Sequence, residues 1–172
     1  GAPAAVGSLP TDALGVVRSM ALEAGAPLEE LGQDFRVWGT PGSFSYRRKG
    51  QEMEGLSIKL TGQHQVENAA VAITAVQLLG EAVPALALGP DSVRVGLANA
   101  RHAGRLEWLA PRLLVDGCHN VEAAQGLAAY LGSLPRDAER VLLLGCSRDK
   151  DIRSIAAVLS GEVDQVLTTS CA

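Results

Sequence analysis

Two polar clusters each follow a short apolar run. Asp116-Gly117-Cys118-His119-Asn120 comes after residues 113–115, and Gly145-Cys146-Ser147-Arg148-Asp149-Lys150-Asp151 comes after residues 141–144. An apolar run that ends in such a cluster and leads into a helical pattern reads as a strand opening into a loop. In open α/β sheets, ligands gather at those carboxyl ends. If the two strands are neighbours, one edge presents Asp116, His119, Arg148 and Lys150. Asp116 can accept a pair of ribose hydroxyls, or it can serve as a turn residue at a strand end. His119 can contact a nucleotide or phosphate, or be structural. Lys150 can hold a carboxylate, and a cation at a helix start is mildly unfavourable unless it has such a use. Asn120 can cap the following helix and leave that helix's free N–H groups toward the same edge, where an anion is favoured. Cys118, just ahead of a helix start, is either an activated thiol or a small packing residue.

A second oddity lies upstream. His64, Gln65 and Asn68 open an otherwise apolar helix, with His64 and Asn68 on one face at i, i+4. Three polar groups at the mouth of a buried helix need partners. An asparagine offers both an acceptor and donors, as an adenine edge requires, although helix capping would also satisfy it. No G-x-x-x-x-G-K-[ST] occurs, so a triphosphate cradle of that type is not in these residues.

These groups need elements to hold them. Thr11 is expected to cap a helix over 11–24 that ends at Gly25 and Pro27. Residues 35–39, 44–48 and 56–60 read as three short antiparallel strands joined by Gly39-Thr40-Pro41-Gly42 and Lys49-Gly50-Gln51. Residues 64–79 form the strongest helix, with apolar positions wrapping almost all round it. Another helix is expected from Asp91, as cap, to about 100. After 102–104 the character changes. Apolar runs at 113–115, 141–144 and 163–167 read as strands covered on both faces. They alternate with helices at 120–131 and 149–159, ended by Gly132 and Gly161. This is β-α-β-α-β at a spacing of about 30 residues, hence a doubly wound parallel sheet. The boundary between domains falls at about 103.

The chain has 172 residues, 47% of them hydrophobic and 20% charged, with a net charge of −4. That is enough apolar material for a real core and too much for disorder. Mild acidity and sparse aromatics argue against a nucleic-acid or membrane partner. The three cysteines, Cys118, Cys146 and Cys171, have neither disulfide nor metal spacing, which suits a reducing, cytoplasmic setting. Cys171 reads as inert. The final strand pattern at the carboxyl end suggests a piece of a longer enzyme.

The ordered set Gly62-Gln63-His64-Gln65-Val66-Glu67-Asn68-Ala69-Ala70, Gly104-Arg105-Leu106-Glu107, Asp116-Gly117-Cys118-His119-Asn120 and Ser147-Arg148-Asp149-Lys150-Asp151 resembles the folylpolyglutamate and dihydrofolate synthases, a branch of the Mur ligase superfamily. The resemblance implies an α/β fold. Residues 1–103 would be the C-terminal portion of a P-loop ATPase domain, with short antiparallel strands and helices. Residues 104–172 would be an incomplete Rossmann-like doubly wound domain, with the site in the cleft between the two. It implies an ATP- and Mg2+-dependent ligase, the magnesium ligands lying outside this stretch. Such an enzyme joins L-glutamate to folate or dihydropteroate through an acyl phosphate, and would be cytoplasmic and monomeric. By position, Asn68 would contact adenine, Arg105 the phosphates, Asp116 the ribose and His119 the nucleotide. Lys150 would hold the carboxylate of the incoming amino acid. Cys118 stands where the family commonly has alanine. On this reading these 172 residues are inactive alone. Two other readings remain: a superfamily ligase acting on a cell-wall precursor, and a non-catalytic nucleotide-binding module.

Overall fold

The structure is a computed structural model that describes residues 1–169; the sequence reading of Cys171 lies outside the described residues. The chain forms two compact units, Gly1–His102 and one that begins at Ala103.

In the first unit, β1 (Ala4–Val6) and β2 (Leu28–Glu30) pair in parallel around α1 (Thr11–Glu23). Neither three-residue strand announces itself in the sequence. Thr11 is not the cap of α1: Pro10 holds that place and no side chain caps the helix. Its other end follows the sequence expectation. Gly25 has φ +56, and the N–H groups of Gly25 and Ala26 return to the carbonyls of Leu22 and Ala21. That is the left-handed glycine closure of a helix.

The antiparallel meander is β3 (Phe35–Thr40), β4 (Ser43–Arg48) and β5 (Gln51–Leu56), in that order. The third strand is therefore earlier than the expected 56–60, for two reasons. Lys49 and Gly50 both have positive φ, +49 and +76. They form the two-residue turn that matches strand twist, so pairing resumes at once with Gln51 opposite Arg48. Then a bulge lies between the pairs Tyr46–Met53 and Phe44–Leu56, at Gly55 with φ +62. The bulge lets Met53 and Leu56 both face the core at an odd spacing, which hides the period-2 signal.

Helix α2 (His64–Ala82) covers this sheet with Val66, Ala69, Ala70 and Ile73 against Phe35, Phe44, Tyr46 and Leu56. It buries one face only. Ala72, Ala75 and Leu79 are exposed, so the wrap-around expectation is corrected. Alanine is small enough to be apolar in sequence without needing a neighbour. Buried Arg48 fastens β4 to β2 and α2. Its guanidinium donates to both carboxylate oxygens of Glu29 and both of Glu81, and Lys49 also reaches Glu81. Helix α3 (Pro90–Asn99) starts with Pro90 at its first turn and Gly89 as cap, displacing Asp91 from that role.

In the second unit, β6 (Glu107–Ala110) and β7 (Leu113–Val115) form an antiparallel hairpin. Helix α4 (Val121–Ser133), β8 (Val141–Leu144), α5 (Ile152–Leu159) and β9 (Gln165–Thr168) follow, and β8 pairs with β9 in parallel. The hydrogen-bonded partner of β7 is β6, not a parallel neighbour, although Leu114 joins Leu142, Leu144, Ile155 and Leu159 in one core. Among the described residues, only one face of β8 is covered. Leu142 and Leu144 turn to the helices while Val141 and Leu143 are exposed. An unbroken apolar run cannot show whether a second layer is present. Gly132 lies inside α4, which ends at extended Leu134 ahead of Pro135, and Gly161 lies in a short 3-10 turn. Helix α5 starts at Ile152, with Asp151 as its cap rather than at Asp149. No helix among the described residues is long and apolar enough to cross a membrane.

Candidate functional site

The first group of candidate residues sits on the opening turn of α2. Gln65 is buried, whereas His64 and Asn68 are exposed. Gln65 Nε2 lies 3.0 Å from His64 Nε2, and Asn68 Nδ2 donates to Gln65 Oε1 at 3.1 Å. No side chain caps α2, so these amides act on one another rather than on the helix end. Gln63 donates to the carbonyl of Gly39 and ties this turn to the meander.

The second group gathers where residues 104–107 meet 116–119. Gly104 and Leu106 both have positive φ, +69 and +44, on either side of Arg105. The Leu106 N–H donates to Asp116 Oδ2 at 2.8 Å. The Gly117 N–H donates to the Gly104 carbonyl at 2.6 Å, and Glu107 Oε2 accepts from the Gly104 N–H. Asp116 is thus partly the turn-holding residue of the simpler reading. A carboxylate has about four acceptor sites, so Oδ1 remains for a ligand. Leu106 and Glu107 stand in the motif that carries the resemblance, but the sequence assigns them no role. No residue-type pattern signals a core leucine at positive φ.

Among the described residues, no hydrogen bond or ion pair engages the Arg105 guanidinium, which is half-buried. It is near enough to act on the Cys118 thiol, as are Asp116 and Cys146. Burial pushes that thiol up, and the Asp116 carboxylate adds to the rise. Cys118 is therefore a packing residue of the second core and not an activated nucleophile. Cys118 and Cys146 both pack against this core, so the loops after β7 and β8 share it. His119 Nδ1 lies 2.9 Å from the carbonyl of Gly117. A carbonyl only accepts, so Nδ1 carries the hydrogen and Nε2 of the neutral ring is left as an acceptor. Asn120 caps α4 as expected, its Oδ1 accepting from the Ala123 N–H at 2.8 Å.

Lys150 precedes the cap of α5 and is paired with Asp149 at 2.9 Å. The Lys150 ammonium, with the Ser147 hydroxyl, holds the Asp149 carboxyl down at about 2. The loop thus brings its own counter-ion to Lys150. Arg148 is exposed. Asn68 belongs to the first unit, and Arg105, Asp116, His119 and Lys150 belong to the second. A groove of about 620 Å³ in the first unit, lined in part by Tyr46, Arg48, Gln77 and Glu81, contains none of these residues. No group of three or more His, Cys, Asp or Glu among the described residues is placed to hold a metal ion.

No protein-family model matches the chain. Curated proteins do. It is 29% identical over 175 residues to the folylpolyglutamate synthase of Lacticaseibacillus casei, covering 96% of the chain and 40% of that protein. It is 29% identical over 150 residues to the dihydrofolate synthase/folylpolyglutamate synthase of Escherichia coli K12, covering 86% of the chain and 34% of that protein. Among solved structures, a complex of folylpolyglutamate synthase with AMPPCP and folate superposes with a TM-score of 0.86 at 25% identity, over 99% of the chain and 43% of that structure. The enzyme of Thermotoga maritima gives 0.75 at 27% identity, over 98% of the chain and 40% of that structure. The E. coli protein with ADP bound gives 0.77 at 29%, over 90% and 36%. Along nearly its whole length the chain matches the folylpolyglutamate and dihydrofolate synthases in sequence and in fold, and it spans about 40% of the length of the first of these relatives.

Proposed function

We propose that the chain is part of an ATP-dependent ligase that adds L-glutamate to folate or dihydropteroate. The observation that carries this reading is the fit, at a TM-score of 0.86, to a folylpolyglutamate synthase holding an ATP analogue and folate. In the reaction the substrate carboxylate takes the γ-phosphoryl group of ATP, releasing ADP. The glutamate amine then attacks the acyl carbon, loses a proton, and inorganic phosphate leaves.

The residues take complementary roles. Asn68 reads adenine, and Asp116 accepts from the ribose hydroxyls through the oxygen that Leu106 leaves free. His119 offers Nε2 to the nucleotide. Arg105, a half-buried cation with no counter-ion among the described residues, meets the negative charge that grows at the phosphoryl group. Lys150 exchanges Asp149 for the incoming carboxylate; an exposed ion pair is worth little, so the exchange costs little. A magnesium ion would travel with the nucleotide and neutralise part of its phosphate charge. The first unit corresponds to the end of a central ATPase domain and the second to a Rossmann-like ligase domain. Free thiols at Cys118 and Cys146 suit a cytoplasmic setting.

The test is Arg105→Ala in the complete enzyme, assayed for ATP-, folate- and glutamate-dependent product. Loss of a preorganised charge contact to the transition state predicts a fall of about 10²–10³ in kcat. A rate equal to wild type would remove Arg105 from the reaction.

A further inference from the structure

We infer that Gln65 is a positioning residue that sets which way round the Asn68 amide faces the nucleobase, and so makes the site choose adenine over guanine. This rests on the reading of Asn68 as the adenine contact.

The argument is one of hydrogen-bond polarity. Gln65 is only 5% exposed, so its amide has few partners to choose from. Its Nε2 faces His64 Nε2, which accepts when the imidazole carries its hydrogen on Nδ1. Its Oε1, which only accepts, therefore faces Asn68 and takes a hydrogen from Nδ2. With His64 in that tautomer, each link dictates the next. Asn68 is left with Nδ2 on the side of Gln65, one remaining N–H, and a free Oδ1. Among the described residues no other hydrogen bond engages its side chain.

That residual pair, one acceptor beside one donor, suits adenine. Oδ1 accepts from the exocyclic amino group while the remaining N–H donates to an adjacent ring nitrogen. Guanine presents the reverse polarity, with O6 accepting and N1–H donating. Only an Asn68 amide turned end for end could read it. With Gln65 Oε1 in place, the turned amide would set two oxygens against each other.

The experiment measures kcat and KM for ATP and for GTP in the complete enzyme, with Asn68→Ala, Gln65→Met and Gln65→Glu. Gln65→Met keeps the volume and removes the acceptor. It should raise the ATP KM several-fold, change kcat less than twofold, and lower the ATP-over-GTP preference in kcat/KM about tenfold. Gln65→Glu restores an acceptor for Nδ2 and should recover most of the preference. Equal damage from both Gln65 variants would make the residue a packing element and overturn the inference. A Gln65→Met enzyme with unaltered preference, beside an Asn68→Ala enzyme that has lost it, would also overturn it while leaving Asn68 on the base. An Asn68→Ala enzyme with unchanged ATP KM and preference would instead bring down the adenine reading itself. Should Gln65→Met fail to fold, the Gln65→Glu preference decides: retained supports the inference, lost overturns it.

Discussion

Arg48 offers the sharpest test of what holds the first unit together. Its side chain is 4% exposed, and its guanidinium makes four hydrogen bonds to Glu29 and Glu81. These partners come from β2 and α2, so one cation joins three segments of chain. Arg48→Leu removes the charge and leaves Glu29, only 15% exposed, facing Glu81 with no buried counter-ion. Breaking a buried pair by removing one partner costs about 3–5 kcal/mol. Lys49 remains 2.9 Å from Glu81, but its side chain is 59% exposed, so it offsets little of that cost. Adding Glu29→Gln to Arg48→Leu should recover about 2 kcal/mol, because the stranded charge is gone. Acid provides an independent handle. Arg48 first, then Lys49, hold the Glu81 carboxyl down at about 2, against an ordinary 4.5. A depressed carboxyl stabilises the fold above its unfolded value, and the benefit disappears as pH falls from about 4.5 through about 2. Glu81 is 48% exposed, so solvent screening limits the effect to roughly 1 kcal/mol. Glu81→Gln should therefore be less stable than wild type near pH 7 and approach it toward pH 2. Each unit holds one tryptophan, Trp38 and Trp108. Urea unfolding of a Trp108→Phe background, followed by the emission of Trp38, reports on the first unit. An Arg48→Leu midpoint equivalent to less than about 1 kcal/mol of destabilisation would refute the reasoning.

Two further outcomes are expected. Asp116→Ala in the complete enzyme should raise the nucleotide KM more than it lowers kcat, and it should destabilise the second unit by about 1–2 kcal/mol by orphaning the Leu106 N–H. Asp116→Asn should keep that stability while losing part of the nucleotide affinity; equal unfolding midpoints for Asp116→Ala and wild type would show that the bond to Leu106 carries no weight. The 172-residue chain on its own, lacking a P-loop sequence, should release no phosphate from ATP above background. Steady turnover in a phosphate-release assay would contradict this.

The sequence makes the second unit's loops readable and leaves their fastenings hidden. Asn120 as a cap follows from its place between a polar loop and an amphipathic helix, and the structure agrees. Thr11 and Asp91 look just as suitable, yet Pro10 and Gly89 hold the cap positions, and the helix expected from 149 begins only behind Asp151. Several polar residues near a helix start compete, and the backbone path decides among them. The meander is legible in outline, but its third strand is misplaced because a two-residue turn and a bulge both break the expected rhythm. Asp116 and His119 can be singled out by residue type and position, and Arg105 through the family resemblance. That Leu106 secures Asp116, or that Gln65 stands between His64 and Asn68, cannot be read so directly. Those contacts depend on backbone angles and side-chain directions that spacing does not encode.

Position 106 carries two demands that pull against each other. Its backbone, at φ +44, lies where a side chain costs about 1–2 kcal/mol and glycine would cost nothing. Its side chain, 4% exposed in the second core, contributes about 1.5–3 kcal/mol by leaving water. Burial outweighs strain by a narrow margin. The residue beside the proposed phosphate-binding arginine is thus held in a tense, compromise geometry that neither a smaller nor a β-branched replacement can improve, and the tolerance of this short segment to sequence drift is correspondingly small.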